Sequence, residues 1–129
     1  MNDSQLFAKI AIQMQPILPV SWKKLCLYAD VSEDSYEISY YVFIEDRPEP
    51  IQCYDLPLEY QISEEDIDSV FASLAELLQK SKNENNQTWT VFTFVLSADG
   101  TVDVYYDYND HSDNAFSYKK EWKKTYVIL

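Results

Sequence analysis

The side chains able to act on a substrate are few, and they crowd into one stretch. The single histidine, His111, stands in the string Asp110-His111-Ser112-Asp113. The string holds acids, a base and a hydroxyl, but a catalytic triad is assembled in space and adjacency does not make one. Asp103, Asp107, Asp110 and Asp113 could hold a cation, yet their spacing fits no EF-hand loop. Cys26 and Cys53 lie in apolar, strand-like segments without CxxC spacing or a histidine cluster. Buried free thiols are the expectation there, not zinc ligands. With one glycine, Gly100, the chain has no Gly-rich loop to cradle phosphate. We expect no catalytic residue, no metal site and no cofactor.

The same acidic stretch suits binding better. Alternate residues of a strand stand about 6.6–6.8 Å apart on one face, so Asp103, Tyr105 and Asp107 would project in a row. Tyrosine offers contact area at low entropic cost, and carboxylates select Lys and Arg. Asp110 and Asp113 extend this candidate partner-binding set into the following turn. An ordinary solvated strand would show the same alternation. The charge of the whole chain favours a basic partner. Twenty-two carboxylates against ten Lys and Arg give a net −12. Residues 1–116 hold 21 acidic and 6 basic side chains, whereas residues 117–129 hold 1 and 4. Such a body repels phosphate backbones, so direct nucleic-acid binding is not expected, and it attracts a basic protein from a distance.

The elements that must position these residues are legible. At 129 residues and 47% apolar, with eleven Tyr, six Phe and three Trp, the chain should fold as one domain. Ser4 could cap a helix carrying Leu6, Phe7, Ile10, Ala11 and Met14 on one face, ended by Pro16 and Pro19. Strands follow over 22–31 and 35–45, with a short third near 51–55. Ser63 and Asp66 resemble a capping box before the clearest helix, which carries Ile67, Val70, Phe71, Leu74, Leu77 and Leu78. Residues 88–97 and 101–108 form a hairpin. A three-residue loop, Ala98-Asp99-Gly100, pairs Leu96 with Val102, Phe94 with Val104 and Phe92 with Tyr106. That register makes one face wholly apolar or aromatic, and burial should select it over a one-residue slip. A type I turn with left-handed Gly100 is expected, the helix at 63–82 covering the apolar face. A terminal helix within 111–129 should be capped near Ser112 or Asp113, with Tyr118 and Trp122 inward. The fold class is α+β, a single domain with an antiparallel sheet packed against helices, in the order α-β-β-β-α-β-β-α. Polar Asn2, Asp3 and Ser4 form no basic leader, and no apolar run is long enough to span a membrane, so a cytoplasmic location is expected.

Two stretches carry a family likeness. KIAIQMQPILPVSWKKLCLYADV, residues 9–31, combines a helix, a proline and a Trp before a strand ending in Tyr-Ala-acidic. TWTVFTFVLSADGTVDVYYDYND, residues 88–110, combines a strand, an acidic-Gly turn and an aspartate-tyrosine strand. With the amphipathic helix between them and the closing Trp122-Lys123, the chain resembles the YezG-like immunity family. That resemblance implies a non-enzymatic antitoxin that binds and neutralises a cognate polymorphic toxin, often an LXG-type toxin with a C-terminal nuclease domain. It carries no catalytic residues over. The proline-rich 46–55 loop and the last five residues depart from the family pattern. An acidic DNA mimic or regulatory adaptor that occupies a host nucleic-acid-binding protein is the alternative that the charge alone allows.

Overall fold

A computed structural model of the protein describes residues 1–127. Helix α1 spans Asp3–Met14. Its cap is Asn2, two residues before the Ser4 expected from sequence. The Asn2 side chain accepts from the Gln5 amide at 2.9 Å, and the Gln5 side chain accepts from the Asn2 amide at 3.0 Å. Two otherwise orphaned donors are thereby satisfied reciprocally. Strands β1 (Trp22–Val31) and β2 (Tyr36–Ile44) follow, and β3 is reduced to Ile51–Gln52. A single helical turn, α2 (Leu56–Glu59), leads into α3 (Glu64–Glu84). Ser63 caps α3 through the Asp66 amide at 3.0 Å. Next come β4 (Val91–Ser97), β5 (Val102–Asp107) and α4 (Ala115–Tyr126). The order is the expected one, with α2 as an added turn. Residues 128 and 129 of the expected terminal segment lie outside the described residues.

The five strands form one antiparallel sheet in the order β3-β2-β1-β4-β5. On one face, Leu25, Leu27 and Ala29 of β1 stand between Val42, Tyr40 and Ile38 of β2 and Leu96, Phe94 and Phe92 of β4. All nine are buried. The hairpin has the register that burial selects, with Phe92 opposite Tyr106, Phe94 opposite Val104 and Leu96 opposite Val102. Gly100 has φ +94°, and its amide donates to the Ser97 carbonyl at 2.9 Å. Val102, Val104 and Tyr106 are only half-buried, because β5 is an edge strand with one neighbour.

The covering helices divide the face differently from the expectation. Phe7 of α1 lies over the hairpin, its ring centroid 6.5 Å from Phe92 and 6.0 Å from Phe94. Helix α3 lies instead over β1 and β2, where Phe71 meets Tyr40 edge-on at 5.9 Å. The Tyr40 hydroxyl, fully buried, donates to the Ile17 carbonyl at 2.6 Å and ties the turn after α1 to the sheet. The opposite face carries a second, smaller core of Cys26, Tyr28, Val91, Trp122 and Val127, closed by α4. Cys26 and Cys53 are free, buried and in separate cores.

Candidate partner-binding face

The outward side of the hairpin presents Asp103 opposite Val95, Tyr105 opposite Thr93 and Asp107 opposite Val91. These three do share a face, as strand alternation requires. They do not form a bare row, because α4 lies across the same side of the sheet. Trp122 is the anchor of α4. Its indole N–H donates to the Thr93 hydroxyl at 2.8 Å, a buried bond, and its ring meets Tyr28 edge-on at 5.2 Å. A buried indole N–H requires such a partner, and this one fixes the helix across β1 and β4. Tyr126, one turn on, brings its ring within 5.1 Å of Tyr105. Tyr105 keeps 45% of its surface exposed.

The four carboxylates of β5 and its turn have different environments. Asp103 is exposed. Asp107 is tied down: its carboxylate accepts from the Asn109 amide at 2.8 Å and lies 3.0 Å from the His111 ring nitrogen. Desolvation opposes its charge, but the Asn109 amide, His111 and the nearby Tyr118 hydroxyl outweigh it and hold the carboxyl below its ordinary range. Asp110 accepts from the Ser112 amide at 2.9 Å, and that bond likewise lowers its carboxyl. Asp110 and Asp113 are both exposed. Helix α4 starts at Ala115, with Asn114 in the capping position and no side-chain cap bond, so neither Ser112 nor Asp113 serves as the cap.

His111 belongs to this scaffold. Its ring stacks on Tyr118 with centroids 3.5 Å apart and planes at 17°. One edge meets Asp107 while a face is covered, an arrangement that locks the turn between β5 and α4. Among the described residues no group of three His, Cys, Asp or Glu side chains is placed to hold a metal ion. No helix among them is long and apolar enough to cross a membrane.

Two exposed aromatic rings near this face were not singled out from the sequence. Tyr108 and Phe116 are 62% and 80% exposed, and they flank the Asp110 and Asp113 turn along the chain. The signal was available: Phe116 falls off the Tyr118–Trp122 face of α4. Residues 103–116 thus carry exposed carboxylates and exposed aromatic rings along an edge strand, the turn after it and the first turn of α4, with Tyr108 packed beside Tyr106 on the far side of the strand. An edge strand also offers unpaired backbone donors and acceptors. Such a surface can recognise cationic side chains, pack apolar ones and accept a backbone hydrogen bond.

The model of the YezG-like immunity protein family matches residues 4–128. The chain belongs to the YezG-like immunity protein family. It is 29% identical over 109 residues to the immunity protein YezG of Bacillus spizizenii, spanning 81% of this chain and 68% of that protein. To the immunity protein YezG of Bacillus subtilis it is 28% identical over 109 residues, 81% of this chain and 72% of that one. A type VII secretion system protein, EsaG of Staphylococcus aureus, is 25% identical over 118 residues, 88% of this chain and 72% of its own length. These YezG-like relatives are named as immunity and secretion-system proteins, not as enzymes.

Proposed function

We propose that this protein binds a cognate toxin in a one-to-one complex and blocks it, without catalysing a reaction itself. The toxin in this reading is an LXG-type polymorphic toxin whose active part is a basic nuclease domain. The family match across residues 4–128 carries the proposal. The charge supports it: a body of net −12 accelerates encounter with a basic domain. Asp103, Tyr105, Asp110 and Asp113 make the contacts, with Tyr108 and Phe116 adding apolar area. Asp107 contributes by holding the turn and through its remaining charge. Carboxylates so placed compete with nucleic-acid phosphates for the cationic groove of a nuclease.

The test is a titration of the purified protein into the isolated nuclease domain of its cognate toxin, with cleavage of labelled DNA and RNA as the readout. Activity should fall linearly and vanish at equimolar protein. Protection at well below one equivalent would mean turnover and would overturn the reading, as would a lack of protection.

A further inference from the structure

On the α4 side of the sheet, at the end away from His111, three lysines converge on an open groove of about 590 Å³. Its floor is the half-buried pair Tyr41 and Phe43 on β2. Lys23 and Lys24 enter from the start of β1, Lys123 from α4, and the Pro48-Glu49-Pro50 segment forms the far wall. The Lys24 ammonium sits 5.3 Å from the Phe43 ring centroid, and that of Lys123 sits 5.0 Å from Tyr41. Both ammonium groups therefore lie over the aromatic floor, each in a cation–π contact. The volume falls within the range of about 300–1,000 Å³ found for ligand sites.

The charge of this place is opposite to that of the molecule. Three ammonium groups face one carboxylate, Glu49, within a chain of net −12. Elsewhere four of the cations are ion-paired, Arg47 with Glu59, Lys80 with Glu84, Lys119 with Glu37 and Lys124 with Glu121. Lys9, Lys82 and Lys120 are not paired among the described residues but do not line this groove. Among the described residues Lys23, Lys24 and Lys123 have no such partner. Three like charges gathered around half-buried aromatic surface repel one another, and an anionic occupant with apolar side chains would relieve the repulsion and cover the remaining exposed ring area.

We propose that this groove is a second binding site, which takes a short acidic peptide segment of a partner protein, carboxylates on the three lysines and apolar side chains on Tyr41 and Phe43. A peptide fits better than nucleic acid because the surrounding field is negative. Duplex DNA brings one charge per about 1.7 Å along its axis and meets that field over its whole length. A peptide with two or three carboxylates places them on the lysines and offsets the remaining repulsion by apolar contact. The site goes beyond the toxin-binding function proposed above, which calls for a basic partner on another surface.

The experiment needs no toxin, so its result is independent of the neutralisation titration. A displayed library of random dodecapeptides is panned on the immobilised protein, and a selected peptide is measured by fluorescence anisotropy. Selected sequences should be enriched in Asp and Glu interspersed with Leu, Phe or Tyr, with binding that weakens as salt rises. The triple variant Lys23→Gln, Lys24→Gln, Lys123→Gln should lose at least about tenfold in affinity. A control, Lys9→Gln with Lys80→Gln, should lose less than about twofold. Amide NMR shifts on peptide addition should map to Lys23, Lys24, Tyr41, Phe43 and Lys123, which keeps the test decisive should the triple variant fold poorly. No acidic enrichment, or shifts centred elsewhere, would overturn the proposal. So would preferential binding of a labelled single-stranded oligonucleotide at these residues. Peptide binding that occurs only after deletion of residues 128–129 would also overturn it, because the chain's own end would then be the occupant.

Discussion

Asp103 and Asp107 read alike in sequence, two residues of one strand face separated by four positions, yet they should behave differently on substitution. Asp107 holds the Asn109 amide and His111, whereas Asp103 is exposed. Asp107→Asn should cost about 1 kcal/mol at neutral pH, and Asp103→Asn should leave stability unchanged, as measured by urea denaturation. The pH dependence has a definite sign. A carboxyl held below its ordinary range stabilises the fold above that range and loses the contribution as pH falls through the lowered native value. The gap between wild type and Asp107→Asn should therefore close in acid. Equal stability of the two proteins at neutral pH would refute the staple role of Asp107. The thiols give a second residue-scale prediction. Burial pushes Cys26 and Cys53 up to about 11, against which Lys24 at Cys26, and Tyr40 and Tyr54 at Cys53, act more weakly. Thiolate is then scarce at pH near 8, and iodoacetamide should label neither cysteine until the protein is unfolded.

At the scale of elements, the hairpin and α4 carry the consequences. Phe94 is fully buried between β1 and α1, so Phe94→Ala should cost about 3–5 kcal/mol. Gly100→Ala would place a Cβ in open space, so only the left-handed backbone resists it, at about 1–2 kcal/mol. Trp122→Phe keeps an aromatic ring but removes the donor to the buried Thr93 hydroxyl. About 1–3 kcal/mol should be lost, with amide exchange accelerated first in α4. Exchange that accelerates uniformly would show that α4 does not open separately from the sheet. The hairpin register was legible before the structure because only one pairing puts Phe92, Phe94 and Leu96 together with Val102, Val104 and Tyr106. Which helix covers them was not legible. Both α1 and α3 are amphipathic, and nothing in their periodicity says which crosses which strands.

For the whole molecule, the prediction concerns the rate of association with the toxin. Exposed charges act over a screening length of about 8 Å at physiological salt, so electrostatic steering should fade as salt rises. Asp103→Asn, and Asp110→Asn with Asp113→Asn, should slow association and flatten its salt dependence. Tyr105→Ala and Phe116→Ala should instead speed dissociation by removing packed area. The comparison position is Glu76, exposed on α3; Asp68 on the same helix is unsuitable because it accepts from the Tyr54 hydroxyl at 2.7 Å. Stopped-flow rates over a salt series distinguish the cases. Equal effects at Glu76 and at the 103–113 positions would mean that net charge, and not this face, guides the encounter.

Composition and periodicity alone determined that this is one α+β domain with an acidic body, and they set its strand order along the chain and the pairing of its hairpin. These depend on local spacing and on which side chains avoid water, both of which are written into neighbouring residues. The tertiary structure alone decided that α4 lies across the outer face of β4, and this altered the meaning of three residues. Asp107 became a partner of His111, Thr93 became the acceptor for a Trp122 bond across 29 positions, and Tyr105 became half of a pair with Tyr126. It also brought Lys23 and Lys24 to Lys123, about a hundred residues away in the chain. Contacts of that separation arise from how one helix crosses a twisted sheet, a choice set by packing over the whole core and not by any segment of sequence.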